Sequence, residues 1–261
     1  MSVRTTGLVT LIHREILRYV RRPWNTFLPP TITNALYLIV FGVILGGRIQ
    51  VTGTSYIHFI LPGLIVLGAV SDAFQNASFS IFHGRWNEYI HEVQTAPLSY
   101  TEMVVAYVLS SALRGTLIAV LIGAVGVLFT NLLPSMAPIG FAHPFLVVAF
   151  VVVITLLFAS FGVIGGLWAE DFDHLTVMNQ FIIRPLVFFG AVFYPLNDLS
   201  PFWQNASLLN PMVYMVEGLR FAMLGSSTLD PRVSLGVLSV VTAVLVTLDV
   251  QLFKHGFGLT D

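Results

Sequence analysis

Cysteine is absent from the 261 residues. That excludes a disulfide framework, a cysteine-built zinc site and a thiol nucleophile, and it fits any redox compartment. Charge is almost as scarce. Only 10% of residues are Asp, Glu, Lys or Arg, whereas a soluble domain carries roughly 25%. The deficit runs along the whole chain, so lipid must solvate most of its surface. The net charge of −1 gives no bulk attraction to nucleic acid. Catalytic signatures are missing too. There is no GxxxxGK[ST], hence no P-loop for ATP, and no HExxH. The seven histidines show no ligand spacing on one helix face, so no metal site is expected. His83 and His91 flank a charged segment and read as solvated. The N-terminus does not read as a signal peptide, because its first apolar run comes after an arginine-rich stretch and no small-residue cleavage site follows at the right distance.

What remains is hydrophobic. Apolar residues make up 56% of the chain, and mean hydropathy is +0.85. A helix needs about 20 apolar residues to cross a bilayer core. Six stretches meet that length: about 27–47, 57–80, 102–130, 144–168, 174–195 and 234–253. The reading is an all-α membrane protein with one domain over 1–261. Residues 1–26 form an interfacial segment, 27–253 the six spans and 254–261 a tail. Pro134 and Pro138 mark an uncharged loop between the third and fourth spans, and AEDFD a tight acidic turn before the fifth.

Residues 8–22 place Leu8, Val9, Ile12, Ile16, Tyr19 and Val20 on one arc at 100° per residue, with Arg14, Arg18 and Arg21 opposite. That pattern predicts an amphipathic helix lying on the membrane, apolar side in the headgroups and arginines toward anionic lipid. Orientation follows from the basic residues. One side holds Arg4, Arg14, Arg18, Arg21, Arg22, Arg85 and Lys254, and the other holds Arg48, Arg220 and Arg232. The excess puts both termini in the cytoplasm.

Ionisable groups inside spans are costly and mark cavities or partners. At ~1.5 Å rise per residue, Asp72 lies about 18 Å from the cytoplasmic end of its span, Arg114 about 18 Å and Arg184 about 15 Å. These similar depths allow an Asp72–Arg114 or an Asp72–Arg184 pair, either lining a translocation path or fixing helix packing. Gln75 and Asn76 join them in the polar stretch Ser71–Ser80. Segment 83–101 is short and helix-prone, with Pro97 as a stop. Trp86, Tyr89, Ile90 and Val93 recur there at helical spacing, which predicts an amphipathic helix serving as a lipid-surface connector or a contact for a cytoplasmic partner. Residues 197–222 are too apolar for a free loop. They read either as a re-entrant segment or as a flat interfacial helix with Trp203 and Tyr214 in the aromatic belt.

Several stretches then carry a family resemblance: YIHFILPG at 56–63, IHEVQTAPLS at 90–99, Arg114-Gly115, Asp171-Phe172-Asp173, FFGAVFYPLNDLSPFWQ at 188–204 and LNPMVYMVEGLRF at 209–221. Over nearly the whole chain the sequence resembles the permease subunits of ABC-2 type exporters, most closely the YadH-like inner-membrane transport permeases. The resemblance implies a permease of the prokaryotic inner membrane, with no enzymatic activity of its own. It implies two permease chains, as a homodimer, working with two copies of a separate ABC ATPase subunit that binds ATP and Mg²⁺. It places Glu92, Ala96 and Pro97 in a coupling helix that docks on the ATPase, beside Arg85, Trp86 and Glu88. It makes 197–222, with Asn210, Pro211, Tyr214, Glu217 and Arg220, an extracytoplasmic re-entrant helical segment. Asp72, Arg184, Gln94 and Thr95 depart from the family pattern. The expected cargo is a hydrophobic or amphipathic small molecule or lipid-like compound, with polysaccharide or glycolipid export as the alternative. A self-contained secondary transporter is the competing class. It would require midplane ion sites and usually an internal repeat, and no repeat is visible.

Overall fold

The computed structural model describes residues 3–46, 54–132 and 139–259, and every regular element among them is helical. Pro134, Pro138, Gly47 and Arg48 lie outside the described residues. In chain order the helices are α1 (Val3–Val20), α2 (Pro23–Tyr37), α3 (Tyr56–Trp86), α4 (Ile90–Thr95), α5 (Tyr100–Leu132) and α6 (Pro144–Trp168). They continue as α7 (Phe172–Val177), α8 (Arg184–Phe188), α9 (Pro201–Ser207), α10 (Pro211–Leu224) and α11 (Pro231–His255). π-helical stretches extend α2 (Leu38–Ile44) and join α7 to α8 (Met178–Ile183).

Local chemistry explains most helix ends. Proline, which has no N–H to satisfy, opens α2, α6, α10 and α11. Ser99 and Glu102 form a reciprocal capping box at the start of α5. The Ser99 N–H donates to Glu102 Oε2 at 2.7 Å, and the Glu102 N–H donates to Ser99 Oγ at 3.3 Å. Asp171, Asn210 and Asp230 accept backbone amides at the starts of α7, α10 and α11. Gly225 and Gly256 end α10 and α11 in the left-handed conformation, at φ 77° and 71°.

Four of these helices, α3, α5, α6 and α11, are long and apolar enough to cross a membrane. They match the second, third, fourth and sixth expected spans. At ~1.5 Å per residue the 31 residues of α3 reach about 46 Å, longer than a hydrocarbon core of about 30 Å. The expected first span starts earlier, at Pro23, and its last described turns are π-helical. The expected fifth span stops at Phe188 instead of 195, because the chain turns at Phe189–Tyr194.

α3 sits at the centre, packed on both α5 and α6. Small residues permit that approach. A Cβ on Gly162 of α6 would lie 2.5 Å from the Phe74 carbonyl oxygen, and one on Gly115 of α5 would lie 2.9 Å from that of Ala69. Around these contacts Leu64, Phe74, Ile118, Ile122, Phe150 and Leu219 form the buried core. α11 packs against α6, α10 and α5, buries Leu238 and Phe253, and leaves Val233, Val240, Val244 and Leu248 outward.

Candidate functional site

α2, α3, α5 and the stretch 179–188 enclose a polar cleft of about 250 Å³. Asp72, Gln75, Arg114 and Arg184, four of the five polar residues expected to share a site, line it together. Arg114 Nη2 donates to Asp72 Oδ1 at 2.8 Å, so of the two expected pairings this one forms. Arg184 makes no ion pair or hydrogen bond among the described residues. It stands exposed at the lip of the cleft with Phe188 and Gln75. The inner wall is buried and polar, with Asn34 and Asn179 beside Leu67 and Gly68. On the α2 side, Pro29 and Pro30 remove two helical N–H donors, so the carbonyls of Asn25 and Thr26 receive no amide four residues on.

Asn76, the fifth expected residue, lies behind the cleft and ties it to α1. Its Oδ1 accepts from Arg114 Nη1 at 3.2 Å and from Arg18 Nη2 at 3.0 Å, while its Nδ2 donates to Ser111 Oγ at 2.9 Å. Arg18 also holds Glu15, a carboxylate only 2% exposed that accepts from Arg14 at 2.9 Å and from Ser80 Oγ at 2.5 Å. Sequence reading set these arginines facing lipid. The structure corrects this: Leu11, Glu15 and Tyr19 form the buried stripe of α1, Arg14 and Arg18 neutralise Glu15, and Val9 and Val20 point outward. The arc rotates because a buried carboxylate must be paired.

Segment 83–101 also differs from the single helix expected. Trp86 closes α3, Glu88 turns the chain at φ 62°, and α4 is a separate short helix that buries Ile90 and Val93. Arg85 faces inward: its Nη1 donates to the carbonyls of Gly166, Leu167 and Ala169 at 2.8–2.9 Å and caps the end of α6. Trp86 (60% exposed), Glu88, Glu92 and Pro97 face outward, while Ala96 is half-buried where α4 gives way to extended chain. Two surface grooves flank α4. One of about 410 Å³ runs between Arg14, Arg18, Arg21, Tyr89 and Glu92, and one of about 560 Å³ lies beside Trp86, Glu88 and Glu170. The Arg14 guanidinium sits 5.4 Å from the centre of the Tyr89 ring. Burial pushes the Tyr89 hydroxyl pKa up, and the nearby Glu15 charge adds to the rise, so this ring stays neutral.

At the far end α10 carries a buried clamp. Glu217 (1% exposed) pairs with Arg220 (4% exposed). Arg220 donates to the Ala191 carbonyl at 2.7 Å and lies 3.9 Å over the Phe59 ring, and the Thr228 N–H donates to Glu217 at 2.6 Å. Asn210 Nδ2 donates to the Leu186 carbonyl at 2.7 Å, and Pro211 opens the helix. Tyr214 packs against the core. These residues join α10 to α3 and to the turn after α8.

The ABC-2 type transporter family model matches residues 6–224, from the first turns of α1 to the end of α10. The chain belongs to this family. Over 261 residues it is 33% identical to the inner membrane transport permease YadH of Escherichia coli (strain K12), covering 99% of each chain. It is 25% identical over 214 residues to nodulation protein J of Rhizobium leguminosarum bv. viciae, covering 80% of this chain and 79% of that protein. With the corresponding protein of Rhizobium meliloti (strain 1021) the identity is 24% over 231 residues, or 84% and 82% of the two chains.

Two buried carboxylates of this ABC-2 protein escape sequence reading. Glu15 carries no sign of burial in the sequence, where it stands between Arg14 and Arg18. Asp249 of α11 is fully buried, accepts from the Ser160 hydroxyl of α6 through Oδ2, and leaves Oδ1 without a partner among the described residues. The available signal was its place within the sixth apolar run, where a lone carboxylate is expensive.

Proposed function

We propose that this ABC-2 protein is the membrane subunit of an ATP-driven exporter. Two permease chains, as a homodimer, form the path, and two copies of a separate ABC ATPase subunit supply ATP and Mg²⁺. The reading puts the protein in a prokaryotic inner membrane with both termini in the cytoplasm, in line with the basic residues of α1. α2 with its π-helical extension and 172–188 serve as the first and fifth of six crossings. α9 and α10 are the re-entrant segment that closes the outer end. α4 is the coupling helix and presents Glu92 to the ATPase, with Trp86, Glu88 and Pro97 exposed on either side of it.

One observation carries this reading: the polar chain Glu15–Arg18–Asn76–Arg114–Asp72 runs unbroken from α1, beside α4, to the cleft. Motion imposed on α1 and α4 has a direct route to the cleft wall. A ligand-driven switch requires a difference in affinity between two states, and ATP binding to the partner supplies it. The cleft mixes charge, amides and apolar side chains, which suits an amphipathic or lipid-like cargo.

Tagged purification from the native membrane, with mass identification of companions, tests the proposal. A P-loop ATPase recovered in equal amount supports it, and Glu92→Arg should then reduce that recovery. Repeated isolation of the chain alone under gentle extraction would sink it and favour a self-contained transporter.

A further inference from the structure

We infer that the cleft is a binding site for the anionic headgroup of an amphiphile, with Arg184 as the residue that selects the charge. This rests on the reading of the cleft as part of the transport path.

Three observations converge. The first is charge. Among the described lining residues Asp72 is the only acid, and Arg114 neutralises it. Arg184 remains as a second cation with no carboxylate, so the cleft carries one uncompensated positive charge. An unpaired charge at membrane depth is costly and calls for a counter-charge. The second is an orphaned amide. Asn179 is 3% exposed and lines the cleft, yet neither its Nδ2 nor its Oδ1 has a partner among the described residues. Asn34 Oδ1 and Arg114 Nε, at the same cleft, likewise lack a partner among the described residues. Buried polar atoms are seldom left so, and here the contents of the cleft are what can satisfy them. The third is size and shape. About 250 Å³ falls just under the usual range for a whole small-molecule pocket, roughly 300–1,000 Å³. It takes a headgroup and leaves an apolar tail outside. The lip at Arg184 and Phe188 is exposed, and Phe181 and Phe189 on the same stretch are exposed as well, so an aromatic surface adjoins the cation.

Phosphate and carboxylate heads share the required chemistry: oxygen acceptors for Arg184 and for the free N–H groups of Arg114 and Asn179. The test uses the full-length permease, purified with whatever ATPase accompanies it. Radiolabelled oleate, lysophosphatidate and oleyl alcohol are the probes, and inorganic phosphate is the tail-free control. Specific binding is the part displaced by excess unlabelled ligand. The two anions are expected to bind about tenfold or more tighter than the alcohol, the worth of one charge-assisted hydrogen bond. Arg184→Ala should abolish that preference without changing the alcohol, and Arg184→Lys should keep it. Asn179→Leu should weaken anion binding while thermal stability holds or rises, because no protein partner is lost. Equal affinity for anion and alcohol, or an anion preference that survives Arg184→Ala, overturns the inference. Inorganic phosphate binding as tightly as lysophosphatidate overturns the assignment to an amphiphile. ATPase recovery in the same preparation separates the two readings. An accompanying ATPase with no anion preference defeats this inference alone, and an anion preference without any ATPase defeats the exporter reading alone.

Discussion

α3 and α11 have similar apolar composition and opposite surroundings. α3 is buried along nearly all its length, whereas α11 leaves most of its surface outside. Hydropathy does not distinguish them, because lipid and protein interior are alike apolar. The difference lies in what each helix meets. α3 faces glycines of α5 and α6 that let backbones touch, and it carries the polar residues Asp72, Asn76 and Ser80, each with a partner on another helix. α11 meets its neighbours along one narrow seam, at Leu238, Asp249 and Phe253. The polar cross-helix bonds are thus concentrated on the buried helix, and the exposed one turns its valines outward.

Substitutions can break or sharpen this contrast. The largest effect is expected from Gly162→Leu, whose side chain would drive α6 off the α3 backbone. A loss of about 4 kcal/mol or more is expected, seen as no monodisperse peak in fluorescence-detected size-exclusion chromatography. Arg220→Ala follows, since it strands a buried Glu217. Breaking such a pair costs about 3–5 kcal/mol, measurable as a lowered Tm in detergent. Asp72→Asn should be milder, about 1–3 kcal/mol, because an amide oxygen can still accept from Arg114. Reduced folded protein is the expected outcome, whereas normal folding with altered transport would make Asp72 a cargo contact instead of a packing residue. Val240→Ala on the outer side of α11 should stay within about 0.5 kcal/mol. A large Tm shift there would reveal a partner packed on that surface.

The same contrast explains what the sequence made legible. α3, α5, α6 and α11 were readable because a long apolar run needs no tertiary information. The first and fifth stretches were harder: their π-helical turns insert one extra residue per turn, for which residue types give little signal. The cleft was half visible. Helical rise alone put Asp72 and Arg114 at one depth, yet Arg184 sits at that depth without pairing, since rise says nothing about which way a helix is turned. The surroundings of Arg85 and Glu15 were not legible for a common reason. Charged residues near a membrane surface look solvated until a tertiary partner, the end of α6 or Ser80 of α3, is seen to claim them.

The oxygen of Asn76 has two lone pairs, and two guanidinium groups occupy them, Arg18 from α1 and Arg114 from α5. A junction of this kind obeys reciprocity. If displacing α1 weakens the grip on Arg114 and so alters how the cleft holds its occupant, then filling the cleft must alter how firmly α1 is held, by the same free energy. An ATPase resting on α1 and α4 would therefore sense an occupied cleft through a single amide oxygen.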